Sequence, residues 1–509
     1  MDDLFGFFCA RGVLVQPQAM KYLKSKAAPL DFAKGLLEKA DRTQFLTLEV
    51  IKELESYKEE DVKGREREVK ASPSIEKEKK VNVVLPSPKP LGKECDPEIR
   101  ILKDASKSSS PDSTLEGFSN LFRDRFDKLK GVLVKQHHQL RKSMPIKRVS
   151  MSKAREVAVI GLVNQIRETS KGHKLIELED ETDSITALVP RDNMPLYSQA
   201  NLTIPDEVIG IVGQKSTNGN LLIIKQIFYP DIPLQRKKSR SDFPLGISFL
   251  GDIHIGSKAF LQDRWDRFIG WLGGEIGNRK QVELAGSIKY LLLPGDLVDG
   301  VGIYPNQEAE LEDCDLLRQY ERMAQELEKV PDWIKIIIQP GNHDAVRPSE
   351  PQPALEGEIA ELFSSSDCVF VGNPTLVSVE GVEVLSYHGQ SLIDFAMNIP
   401  SFSQSDPLSI MKAMLKKRHL APMWGGTTPL APEKRDWLVI DEIPDVFVTG
   451  HVHLAEIGIY RGVTMINAST WQAQTSYQIG MNFMPDPAKV YTMNLREGST
   501  TLMDFNKIF

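Results

Sequence analysis

The sequence predicts a multidomain α/β protein in which a helical N-terminal module, a disordered charged linker and a small β-barrel precede a large C-terminal α/β domain. Three observations predict it. The chain has 509 residues, more than one ordinary hydrophobic core serves. Between about 58 and 114 the composition shifts to Lys, Glu, Ser and Pro. Beyond about 241, apolar runs end repeatedly in Gly-Asp, Gly-Asn or Gly-His and alternate with helix-period stretches, the layout of an α/β fold.

Residues 1–57 space their apolar residues three and four apart, as in FLTLEVIKELESY, and predict a small helical domain. Residues 58–114 cannot bury enough apolar area to offset the entropy of ordering, and predict a disordered linker. Residues 115–154 form a basic helical segment. From Arg123 to Arg155 there are eleven Lys or Arg against two Asp, a surplus that suits phosphate contact or a solvated face. Over 155–235 the period changes: REVAVIGLVNQIRE, HKLIELED, DSITALVP, DEVIGIVGQ and NLLIIKQIFYP predict five short strands. That number in so short a span suggests a barrel of the oligonucleotide-binding (OB) type, serving nucleic-acid contact or a structural role. The basic stretch QRKKSRSD then leads into a domain at 241–509.

The balance of 63 Lys and Arg against 70 Asp and Glu gives a net charge of −7, which argues against a uniformly basic nucleic-acid binder while leaving local patches open. The four cysteines are scattered, so neither a zinc ribbon nor a disulfide framework is expected. No apolar run is long enough to span a bilayer and the first residues are acidic, so a cytoplasmic protein with no membrane partner is expected.

The chemistry lies at five strand exits. GISFLGDIHIG supplies Asp252 and His254, which share a face because alternate residues of an extended chain do. KYLLLPGDLVDG supplies Asp296, followed by Asp299; IKIIIQPGNHD supplies Asn342, His343 and Asp344; VEVLSYHGQ supplies His388; and DVFVTGHVHL supplies His451 and His453. Five of the nine histidines in the chain stand at these exits, where open α/β sheets collect their ligands. Carboxylate, imidazole and amide donors together suit two divalent cations, with Asp296 from the middle exit as the bridge. His343 is then free to act as general acid or transition-state donor. Asp344 either orients it or caps the turn. Tyr304 and Asn306, soon after the bridge, line the substrate path or form a turn.

The ordered set GDIH, GDLVDG, GNHD, YHGQ and GHVH resembles the calcineurin-like metallophosphoesterase superfamily over roughly Pro244 to Phe509. The resemblance implies a β-sandwich flanked by helices. It divides the ligands between the two ions, with Asp252, His254 and His453 on one and Asn342, His388 and His451 on the other. Two ions so held would generate a nucleophile from water at neutral pH. Manganese is the first choice, with magnesium or others open. The whole layout, with stretches such as DLVDGVGIYPNQE and PGNHDAVRPSEPQP, is further similar to the small subunits of archaeal family D DNA polymerases. That resemblance implies a two-metal 3′-to-5′ exonuclease that proofreads single-stranded or mismatched 3′ ends of DNA. It also implies a scaffold for a large catalytic subunit in a heterodimeric replicase. The competing reading is a catalytically silent assembly subunit, with barrel and linker as its working parts. One departure stands out: where break-repair nucleases of the superfamily often carry His, this chain has Asp299, for which helix capping is the simpler role.

Overall fold

Two six-stranded sheets and a closed barrel carry most of the chain in the computed structural model, which describes residues 14–15, 17–26, 32–34, 45–46, 51, 89–216 and 221–507. Residues 1–85 and 86–509 form separate compact units. In the first, the helix Pro17–Lys24 is joined by an unexpected parallel pairing of Leu14–Val15 with Phe45–Leu46. Positions 58–88 of the expected linker lie outside the described residues.

The remaining part of that expectation is corrected. Residues 89–114 are built into the fold, and Ile99–Asp104 forms the edge strand of one sheet, antiparallel to Thr375–Val379. Composition averaged over the segment hides IRILK, whose main chain gains ladder bonds and whose Ile99 packs on the core of the second unit. Asp104 then fixes the exit, its carboxylate accepting from the backbone amides of Ser106 at 2.7 Å and Gly372 at 3.0 Å.

The barrel is inserted between that edge strand and the rest of the sheets. Its strands are Glu156–Glu168, Lys174–Glu179, Ser184–Val189, Val208–Lys215 and Leu221–Phe228, the five expected from the sequence. They close because Val208–Lys215 pairs with both Leu221–Phe228 and Glu156–Glu168. Burial alternates along Ser184–Val189, so one face fills the interior with residues such as Val159, Ile176 and Ile211.

The first sheet orders its strands Cys368–Phe370, Lys335–Gln339, Ile288–Pro294, Gly246–Phe249, Lys489–Asn494 and Thr500–Asp504. Its first four are mutually parallel. In the second, Ala455–Tyr460, Val463–Ala468, Val446–Thr449, Val382–Ser386, Thr375–Val379 and Ile99–Asp104 lie side by side. Phe249, Tyr290 and Ile337 of one sheet share a buried core with Val384, Val448 and Ile466 of the other. Each outer face is covered by helices, Gln262–Leu272 and Leu316–Leu327 on the first and Pro407–Lys417 on the second. Burial on both faces explains why these strands read as continuous apolar runs.

The helix Leu115–Gln136 begins at Thr114, whose hydroxyl accepts from the Gly117 amide, and it ties barrel to sheets. Arg125, on its buried side, donates to Asp436 at 2.7 Å, to the Pro422 carbonyl at 2.6 Å and to the Asp206 carbonyl at 3.0 Å. One charge of the basic run is therefore a structural cation. Among the described residues, no helix is long and apolar enough to cross a membrane.

Candidate metal centre

All five strand exits converge at one end of the paired sheets. Five of the side chains they deliver stand on backbone with positive φ: Asp252 (51°), His254 (53°), Asp296 (52°), His451 (68°) and His453 (51°). Such a conformation costs a non-glycine residue about 1–3 kcal/mol. Five together rival the ~5–15 kcal/mol net stability of a whole domain, so the strain is tolerated for what it aims. Neighbouring glycines make the approach close: a Cβ on Gly341 would collide with Asp296 Oδ1, and one on Gly450 with Asp252 Oδ2.

The donors gather in three overlapping groups among the described residues: Asp252 with His254 and His453, Asp296 with His388 and His451, and His254 with Asp299 and His343. His453 Nε2 is 3.1 Å from His254 Nε2 and 3.7 Å from Asp252 Oδ1. His388 Nε2 faces Asn342 Oδ1 at 2.8 Å, Asp296 Oδ2 at 3.3 Å and His451 Nδ1 at 3.3 Å. Asp296 links the first two, its Oδ2 also 3.8 Å from His254 Nε2. All seven expected ligands are thus brought together, Asn342 through its contact with His388.

Hydrogen bonding alone leaves this cluster poorly satisfied. His388 Nε2 can carry one proton but is surrounded by three acceptors, so two lone pairs still face the same space; a cation there would satisfy all of them. The ring orientations agree. His388 Nδ1 is held by the Pro294 carbonyl at 3.0 Å and His254 Nδ1 by the Asp299 carboxylate at 3.0 Å, which turns both Nε2 atoms inward. The donor set therefore fits two divalent ions.

Charge follows the same geometry. Burial raises the Asp252 carboxyl to about 7, with the neighbouring Asp296 adding to the shift. At Asp296 burial pushes the same way but is outweighed by His388 and His343, which hold the carboxyl well below its usual range. Against its own burial, His388 is lifted to about 10 by Asp296. Burial, reinforced by positive neighbours, lowers His451 to about 3 and depresses His453 as well, so both rings are neutral with a lone pair to give, whereas His388 holds a proton that a bound cation would displace.

One open choice is decided and one expected role is corrected. Asp344 does not orient His343: its Oδ2 accepts from the amides of Gly341 at 2.8 Å and Leu297 at 3.3 Å, and its Oδ1 from Tyr320 Oη at 2.9 Å. A turn that reverses directly after a strand exposes amides, and the nearest carboxylate takes them. His343 is instead fixed by the Asp299 carbonyl, 2.7 Å from its Nδ1, leaving Nε2 4.0 Å from Asp296 Oδ2. Asp299 is therefore no helix cap. Its carboxylate holds His254 and accepts from Gln472 at 2.9 Å and Gln307 at 3.2 Å.

A cavity of about 510 Å³ opens over the cluster, and Tyr304 lines it. Asn306 does not; it forms a left-handed turn (φ 64°) ahead of Gln307–Ala309. Sequence reasoning missed Gln472 and Gln478, the latter with Nε2 2.9 Å from His453 Nδ1. Both sit in the run WQAQTSYQ, and an amide follows no ligand spacing that would mark it.

Comparison with known proteins places the fold in context. The family model that describes the B subunit of DNA polymerases alpha and epsilon matches residues 284–457. The DNA polymerase II small subunit of Archaeoglobus fulgidus is 43% identical over 394 residues, covering 77% of this chain and 78% of that one. The chain belongs to the archaeal DNA polymerase II small-subunit family. Within it, the Methanocaldococcus jannaschii small subunit is 40% identical over 408 residues, 80% of this chain and 68% of its own. The small subunit from Methanothermobacter thermautotrophicus is 35% identical over 511 residues, 99% of this chain and 100% of its own.

Proposed function

We propose that this small subunit is a metal-dependent 3′-to-5′ exonuclease that removes nucleotides from single-stranded or mismatched 3′ ends and docks on a large catalytic subunit of a family D polymerase. The observation that carries the reading is the convergence of the seven donors around Asp296. On this reading the paired sheets are a calcineurin-like metallophosphoesterase domain at 241–509, completed by the strand Ile99–Asp104. The barrel at 155–235 is of the OB type.

Asp252, His254 and His453 would hold one divalent ion, manganese first, and Asn342, His388 and His451 the other, with Asp296 between them. Bound there, the pair would supply an activated water and neutralise charge on the phosphoryl group. The chain's own residues do the rest. Asp299 fixes His254 through its carboxylate and His343 through its carbonyl, so one residue sets the aim of a ligand and of the proton donor. The Nδ1–H of His343 donates to that carbonyl, so the ring presents only Nε2 to a leaving oxygen; burial lowers its pKa, and it would serve as general acid after Nε2 has taken up a proton, for which the neutral ring has a free lone pair. Asp344 keeps the Gly341–Asp344 turn in shape.

The test is hydrolysis of 3′- and 5′-labelled single strands with added manganese, by the full chain alone and with its large subunit. Stepwise shortening from the 3′ end that disappears in Asp296→Asn supports the reading. Intact DNA in both preparations, with the subunits still assembled, leaves an assembly subunit in its place.

A further inference from the structure

Among the described residues, no Lys or Arg lines the cavity over the metal centre. A nucleic-acid end entering it would meet positive charge only at the floor, where the phosphate reacts. Its walls are of another kind. Tyr304 and Tyr477 stand with ring centroids 5.3 Å apart at 32°, beside Ile303, Met397 and Met481. Tyr477 is 53% exposed and Met481 62%, so both present apolar surface to whatever enters. These rings are not spare core: Tyr304 is anchored through Oη to Glu310 Oε2 at 3.3 Å, and Tyr477 rides on the turn Ser476–Gly480, which Thr475 caps through a reciprocal pair of bonds with Gln478. The same Gln478 reaches His453, so the turn bearing Tyr477 is hinged on a candidate ligand.

From this arrangement we infer that Tyr304 and Tyr477 form the wall against which the terminal base of a single strand stacks, so that the site selects unpaired ends by stacking and not by charge. This rests on the nuclease reading and names its substrate selection. Aromatic faces accept any base, because every base has a π-face. The end base of a duplex keeps one free face but brings its paired partner with it, so it is the width of the paired end that keeps it from the wall. The cavity's size is that of a small-molecule site, ~300–1,000 Å³, suited to a terminal nucleotide and not to a double helix.

The experiment uses the full chain with its large subunit, manganese, and two single strands differing only in whether the terminal residue carries a base or is abasic. The ratio of kcat/KM for the two reads the wall. Tyr477→Ala should reduce the preference for the base-bearing strand about tenfold, Tyr304→Ala by a similar factor, and Tyr477→Phe should retain it. A 2-aminopurine placed at the terminus should be quenched on binding by the wild-type complex and less so by Tyr477→Ala, an effect that a folding role for Tyr477 does not produce. An unaltered ratio in Tyr477→Ala overturns the stacking wall alone. Failure of the wild-type complex to cleave either strand overturns the nuclease reading and the wall with it.

Discussion

The barrel and the paired sheets are made of the same β-branched and aliphatic residues, yet they finish their strands differently. In the barrel, strand Ser184–Val189 alternates buried and open positions, and its neighbours are joined through turns such as Lys171-Gly172. In the sheets, Gly246–Phe249 and Ile288–Pro294 are buried on both faces, and the next residues out are Asp252, His254 and Asp296 in left-handed backbone. The contrast teaches that a rigid, doubly covered sheet can hold strained tips, because its packing over-determines where each strand ends. A strand such as Ser184–Val189, with one face open, has less to hold them with, although Glu156–Glu168 and Val208–Lys215 of the same barrel are covered on their outer side by the helix Leu115–Gln136.

Breaking the strained end should have the largest effect. Asp296→Asn removes the shared carboxylate, and manganese-dependent hydrolysis should fall by about 10³-fold or more, some 4 kcal/mol of barrier. Thermal unfolding measured alongside should show that the fold survives, because the exchange is isosteric and keeps an oxygen to accept from the His343 amide. An active Asp296→Asn protein would remove the basis for distinguishing the two regions.

The joint between the regions should respond next. Arg125→Met leaves Asp436 buried without its cation, a change that costs about 3–5 kcal/mol and should show as a lower denaturation midpoint. Acid should probe the same joint. Burial depresses His419 from its ordinary 6.5 to about 4, while His419 and Arg125, against burial, hold Asp436 far below the carboxylate range. Both folded-state values lie below their unfolded ones, so the unfolded chain takes up protons first and stability falls with pH. The His419 contribution should be complete above about 6.5 and fade between there and about 4, with Asp436 adding its loss below. Tm recorded from pH 7 to 4 should slope downward, and the slope above pH 4 should flatten in His419→Gln.

A finer effect is expected from the side chains behind the ligands. Gln472→Met removes a donor to Asp299 and loosens His254, which should weaken manganese binding about 10–100-fold by calorimetry. The smallest effect belongs to the barrel. Ile176→Val in its core should cost about 0.5–1.5 kcal/mol of stability with hydrolysis unaffected, whereas a loss of activity there would join the two regions after all.

The sequence by itself determined the elements and the chemical identity of the site. Period-two runs foretold five barrel strands, and apolar runs ending in Gly-Asp, Gly-Asn and Gly-His foretold which donors would be gathered, since both signals are local in the chain. Tertiary structure alone decided how those donors are used. Asp299 orients His254 where a cap was expected, and Asp344 took the turn cap of the two duties open to it, because a carboxylate bonds to whichever amide, hydroxyl or imidazole lies nearest, and of those neighbours Leu297, Tyr320 and His254 lie tens of residues away. The strand Ile99–Asp104 was hidden for the same reason: an edge strand takes its stability from the partner it pairs with, and its own residues do not announce that partner.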